Sequence, residues 1–103
     1  MTVILSSTQK KYLRGLAHKL KPVAFIGQKG ITEALIAAID QAMDDHELIK
    51  LKFVDFKEKD VKIAMAETIR EKTGSSMAGM IGHTAIFYRP SRDERKRRIV
   101  LPE

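Results

Sequence analysis

Apolar residues recur along this chain in two rhythms, and the changes between them divide it into elements. Tyr12, Leu13, Leu16, Ala17 and Leu20 repeat at helical spacing and make one stripe. A first helix is therefore expected from Ser6 or Ser7, either of which can cap it, to about Leu20. Pro22 ends it. The continuous apolar run Val23-Ala24-Phe25-Ile26 has strand length and predicts a short buried strand. After Gly27-Gln28-Lys29-Gly30, Thr32 is a candidate N-cap. Ala34, Leu35, Ala38, Ile39, Ala42 and Met43 then form a second helical stripe to about Asp45.

From Leu48 to Phe56 the period drops to two. Ile49, Leu51 and Phe53 alternate with Lys50, Lys52 and Val54, as in a half-buried strand. The charged turn Lys57-Glu58-Lys59-Asp60 leads into a third helix with the expected core face Val61, Ala64, Met65, Thr68 and Ile69. Gly74 is placed to stop it in a left-handed conformation. Met77 to Ile81 and Thr84 to Arg89 read as two strands around Gly82-His83, and a glycine opening a two-residue loop suits a type II′ hairpin. The order α-β-α-β-α-β-β predicts an α/β (α+β) fold: one domain with a small mixed four-stranded sheet and helices packed on it. That domain is expected over residues 1–90, with 91–103 as a loosely attached basic extension.

Composition narrows the chemistry. At 103 residues the chain suits one domain with one modest core. It has no cysteine, which excludes disulfides, thiolate zinc sites and cysteine nucleophiles, and fits a reducing cytoplasm. No apolar run approaches the roughly 18 residues of a bilayer span, so no membrane is expected. The start, Met1-Thr2-Val3-Ile4-Leu5, lacks the basic and apolar regions of a secretory signal. The net charge is +6 and the pI about 9.7, a balance that favours nucleic acid. Lys10, Lys11, Arg14, Lys19 and Lys21 crowd the first segment without an acid. Arg89, Arg92, Arg95, Lys96, Arg97 and Arg98 crowd the end, and Asp40, Asp44, Asp45 and Glu47 gather in the middle. The pattern predicts a charge-polarised protein with one face for phosphates.

The candidate chemistry lies at Gly27-Gln28-Lys29-Gly30. Two glycines around a polar, basic pair let the backbone turn tightly and expose its N–H groups. The helix N-terminus behind them adds partial positive charge and unpaired amides, the elements of a phosphate site. Glu33 in the first helical turn opposes an incoming phosphate. Gly-x-x-Gly spacing is common, and a plain strand-to-helix turn stays open as an alternative. A second instance, Gly79-Met80-Ile81-Gly82, has apolar middle residues inside a hairpin and reads as structural. The spacing fits neither a nucleotide-triphosphate loop nor a dinucleotide fingerprint.

Several separated segments occur in an order similar to one family: Gly15-Leu16-Ala17-His18, Leu20-Lys21-Pro22-Val23, Ile26-Gly27-Gln28-Lys29-Gly30-Ile31-Thr32-Glu33, Ile81-Gly82-His83-Thr84 and Tyr88-Arg89-Pro90. They resemble the CRM domain, the chloroplast RNA splicing and ribosome maturation family, in its bacterial stand-alone YhbY-type form. The resemblance implies RNA binding, association with precursors of the large ribosomal subunit, and a fold like the C-terminal domain of translation initiation factor three. It also implies a loop comparable to that of KH domains, which clamps single-stranded backbone. That role would fall on Gly27, Gln28, Lys29 and Gly30. With Thr32, Lys10, Lys11, Arg14, Lys21 and Arg89 they make the expected RNA-contacting set.

Other features are assigned bland roles. His18, His46 and His83 are too scattered for metal ligands, and no spacing suggests a catalytic nucleophile with a base. No cofactor, metal or small-molecule substrate is expected. Tyr12, Phe25, Phe53, Phe56, Phe87 and Tyr88 fall mostly at core-compatible positions, so no stacking surface is expected. Lys50 and Lys52 share one strand face, either open to phosphates or simply solvated. The resulting reading is a monomeric, non-enzymatic RNA-binding protein. A small phosphate-handling enzyme and a protein-interaction module with a basic face are the rival classes.

Overall fold

The computed structural model describes residues 3–103, so Met1 and Thr2 of the Met1–Leu5 start lie outside the described residues. The order of elements is α1 (Ser7–Ala17), β1 (Ala24–Ile26), α2 (Glu33–His46), β2 (Leu48–Phe53), α3 (Lys59–Thr73), β3 (Ser76–Ile81) and β4 (Thr84–Tyr88), followed by a short 3-10 turn, Glu94–Lys96. The strands form one mixed four-stranded sheet in the order β1-β2-β4-β3. β1 runs parallel to β2 through the α2 crossover, and β4 is antiparallel to both of its neighbours. This is the expected α+β architecture.

The alternation in β2 decides which side each helix takes. Ile49, Leu51 and Phe53 face the core built with Ile26, Ile39, Met43, Ala66, Ile69, Ala85 and Phe87, so α2 and α3 cover that face. Leu48 points the other way, where Leu13 and Ala17 of α1 close a smaller cluster with Leu5, Ala78, Ile86 and Tyr88. Thus α1 is the helix on this face, packed over β3, β2 and β4.

Local signals set the helix ends. Ser6 and Gln9 bond each other's backbone N–H groups in a capping box at the start of α1. Thr32 Oγ1 accepts the Leu35 N–H at 3.0 Å to start α2. Gly74 ends α3 at φ +66°, a conformation that only glycine adopts without strain. Gly82 has φ +59° and His83 does not share the positive φ, the sign pattern of a type II′ turn.

Three expectations are corrected. The first helix stops at Ala17 rather than Leu20, because the Lys50 ammonium takes the carbonyls of His18 (3.4 Å) and Leu20 (3.0 Å) and turns the chain towards β1. Only Leu13 and Ala17 of its stripe are fully buried. The run from Val23 is an edge strand with one open side, not a buried strand: Ile26 is buried, Phe25 exposed. On α3, Ile69 is buried and Met65 packs on the core as expected, but Lys62, Ala66 and Thr73 complete the buried face while Val61 and Ala64 turn outwards. A buried lysine was the hidden cue. Lys62 is 5% exposed, and its Nζ donates to Gly82 O at 3.1 Å and to His83 Nδ1 at 3.0 Å, tying α3 to the hairpin turn.

The chain after Pro90 is not loosely attached. Ser91 is fully buried, and its hydroxyl donates to Asp44 O at 2.7 Å. The buried Glu47 carboxylate accepts the backbone N–H groups of Ser91, Arg98 and Ile99 at 2.9, 2.7 and 3.1 Å. Ile99 and Leu101 then pack on the α1-side cluster.

Candidate nucleic-acid interface

The loop after β1 closes on itself. The Gly30 N–H donates to Gly27 O at 2.9 Å, so Gln28 and Lys29 are the central residues of a four-residue turn, and both are exposed. Gly30 has φ +65°, which explains the second glycine. Thr32 caps the amide of Leu35, which leaves the Glu33 and Ala34 amides without intrahelical partners at the mouth of the loop. Phe25, Leu35 and Asp55 line the same hollow as Gly27 to Gly30 and Thr32.

Asp55 is a feature the sequence reading missed. A Cβ at Gly27 would stand 3.1 Å from Asp55 Oδ2, so this carboxylate sits directly beside the turn. It makes the rim of the loop partly acidic, whereas Glu33 lines the neighbouring hollow with Ile36, Lys72 and Arg92. Lys29 is the cation that offsets it. The link runs through the sheet: Val54 N–H donates to Ile26 O at 3.0 Å, which carries the residue after it to the loop.

The expected set of basic residues is not gathered in one place. Lys10 lines a hollow with Glu67, Arg70 and Ser76, at the end of the sheet where β3 begins. Lys21 precedes β1 whereas the loop follows it, so the two lie at opposite ends of that strand. It borders a hollow with Leu16, Leu20 and His46 instead. Arg14 reaches over the sheet: Nη1 donates to Ala78 O at 2.9 Å, at the bulge where β3 slips register against β4. Its stem crosses Gly79, where a Cβ would meet Arg14 Cδ at 2.8 Å. The second Gly-x-x-Gly is therefore structural, as expected. Lys11, Arg14 and His18 recur at helical spacing on one flank of α1, and Arg14 and His18 border the hollow lined by Lys50, Ile81 and Thr84.

Arg89 is removed from the candidate interface. It is 8% exposed, and its guanidinium donates to Asp40 Oδ1, to Asp44 Oδ1 at 3.2 Å, and to Thr73 O at 2.7 Å. Arg92 clasps both aspartates from outside, and Lys96 pairs with Asp45 at 2.8 Å. The acidic middle and the basic end therefore neutralise each other. Hydrogen bonding from Arg92 holds the Asp44 carboxyl far below the usual carboxylate range, although burial opposes it. For Asp40, burial raises the pKa, but the Arg89 and Arg92 hydrogen bonds outweigh it and leave the group lowered. Exposed cations outside these pairs include Lys10 and Lys11 on α1, Lys29, Lys52 on β2 and Arg98 in the tail.

Among the described residues no cluster of three or more His, Cys, Asp or Glu could hold a metal ion. No helix among them is long and apolar enough to cross a membrane.

A basic α+β domain with an exposed glycine turn at a helix N-terminus defines the class. Residues 5–89 match the family model described as the CRS1/YhbY (CRM) domain, and the chain belongs to that family. It is 40% identical over 89 residues to a protein of Haemophilus influenzae named RNA-binding protein, covering 86% of this chain and 89% of that one. It is 32% identical over 99 residues to the Bacillus subtilis protein named "Probable RNA-binding protein YqeI", covering 96% and 100%. The fold is similar to the solution structure of a hypothetical protein of Staphylococcus aureus. The TM-score is 0.80 at 37% identity, over 96% of this chain and all of that one.

Proposed function

We propose that this chain is a non-enzymatic RNA-binding protein that holds the sugar–phosphate backbone at Gly27 to Gly30, on precursors of the large ribosomal subunit. The observation that carries the reading is the turn itself. Its two central side chains are exposed, its second glycine is left-handed, and the unpaired amides of α2 open beside it. The names of the relatives support RNA as the partner. Lys29 supplies the point charge, Thr32 fixes the helix start, and Lys11 and Arg14 extend the positive surface along α1. Backbone contacts position an RNA without reading its sequence. The protein acts as a cytoplasmic monomer in this reading, and ribosome assembly is its setting.

Crosslinking in cells tests it. Ultraviolet crosslinks are expected on large-subunit ribosomal RNA and its precursors, carried by the peptide containing Gln28 and Lys29. Crosslinks confined to other RNAs would reject the ribosomal role. A protein that crosslinks to no RNA would reject the whole reading.

A further inference from the structure

One row of the sheet is bare. The register places Phe25, Lys52, Thr84 and Ile81 side by side across all four strands, through the partners Phe25↔Lys52, Lys52↔Thr84 and Ile81↔Thr84. All four lie on the face that carries α1, because the residues that alternate with them, Ile26, Leu51 and Ala85, belong to the opposite core. α1 ends before it covers them. Phe25 is 59% exposed and Ile81 62% exposed, and Lys52 is exposed between them. The row spans three strand spacings, about 14 Å.

A single exposed apolar residue is ordinary. Here, two apolar side chains flank a lysine in one row, and one of them also lines the glycine loop. Phe25 thus joins the open sheet face to the proposed phosphate site. Neither α1 nor any of the four strands contains an Asp or Glu, and Asp55, beside the glycine turn, borders only the Phe25 end of the row. Arg14 and Lys50 stand behind the row. Cations interleaved with an exposed aromatic ring complement a chain with phosphates and flat bases. The same charge disfavours a second copy, since a two-fold contact would bring Lys52 and Arg14 of each chain towards those of the other.

We propose that this row is a base-stacking platform for single-stranded RNA, with Phe25 under the base that follows the backbone held by the glycine loop. The proposal rests on the RNA-binding reading and adds single-strand selection to it. Aromatic stacking tolerates any base, because every base has a flat π-face. Lys52 meets the next phosphate.

The chain has no tryptophan, so Phe25→Trp installs a unique fluorescent reporter on an exposed position. The probe is a labelled 12-nucleotide poly(U) strand, with a duplex RNA of the same length as comparison. The emission of Phe25→Trp is expected to be quenched by poly(U), with saturation where the anisotropy of labelled RNA saturates with wild type. Phe25→Ala is expected to weaken poly(U) binding about ten-fold, to weaken duplex binding less, and to keep the salt dependence of wild type, because a ring carries no charge. Unquenched emission during binding, or Phe25→Ala with wild-type affinity, would overturn the platform while the glycine loop stands. Emission that changes on concentrating the protein alone would show that a second copy covers the face, against the proposal. Absence of RNA binding by wild type would remove the underlying reading and the platform with it.

Discussion

Arg89 and Asp44 pair across the seam between β4 and α2, and the same carboxylate also receives Arg92 from the segment beyond. This contact turns two opposite charge clusters of the sequence into one internal lock. Arg89 also takes the Thr73 carbonyl at the end of α3, so three elements meet on one guanidinium.

Arg89→Ala is therefore expected to destabilise the fold, not to weaken RNA binding directly. Removing one partner leaves Asp40 and Asp44 partly buried with Arg92 as their remaining cation. Loss of one partner of a buried pair costs about 3 kcal/mol, which lowers Tm by roughly 10–20 °C in a domain of this size. Urea unfolding measures the first, and RNA affinity of the folded variant at low temperature should match wild type.

Acid should act on the same lock. The folded-state pKa values of Asp40 and Asp44 lie below the ordinary value, so their contribution is complete above the unfolded pKa of about 3.9. It is lost as pH falls from there through the folded values. Stability measured by urea midpoints should be flat between about pH 5 and 7 in this respect and decline below about pH 4. Asp44→Asn should be less stable at neutral pH and show a shallower acid decline. An equal decline in that variant would place the acid sensitivity elsewhere.

Truncation after Pro90 is expected to lower stability, because it removes buried Ser91, the backbone partners of Glu47, and the packing of Ile99 and Leu101. Exposed Arg98 leaves with it, so salt-dependent RNA affinity should fall modestly too. A truncated chain with the wild-type melting temperature would contradict the packed tail.

The element order was legible because periodicity changes sharply between elements. The caps Ser6 and Thr32 and the left-handed Gly74 were legible for the same reason: each is a local requirement of the backbone. The fate of Arg89 was not. Nothing local distinguishes a guanidinium aimed at Asp40, 49 positions away, from one aimed at solvent. The α3 face was legible at Met65 and Ile69 but not at Lys62, which is charged yet buried, its ammonium satisfied by a hairpin that only the fold brings near. Phe25 was read as core because an apolar run of four residues does not show which face the helices leave uncovered, a non-local property. Asp55 was missed beside Gly27 because they are neighbours through the β1–β2 pairing, not through the chain.

Asp55 offers a test that raises affinity. Its carboxylate stands beside the turn, where it repels a phosphate. Asp55→Asn should tighten RNA binding by about two- to five-fold at low salt, the scale of one screened charge at close range. Isothermal titration against a single-stranded oligonucleotide measures it. Weaker binding would mean that Asp55 holds the loop in shape.

The two glycines need separate handling in any test of the loop. Gly30→Ala imposes a side chain at φ +65° and should cost about 1–2 kcal/mol of stability. A charge placed there would mix strain with repulsion. Lys29→Glu avoids this, because the residue is exposed and has no positive φ.

The affinity of wild type and Lys29→Glu for one single-stranded RNA, measured across a series of salt concentrations, therefore tests the phosphate-holding loop most directly. Each phosphate contact contributes about −0.7 to the slope of log affinity against log salt. Wild type should show a steep negative slope, and Lys29→Glu should bind at least ten-fold more weakly at low salt with a slope shallower by about 0.7. A folded Lys29→Glu protein with unchanged affinity and slope would contradict phosphate capture at Gly27 to Gly30.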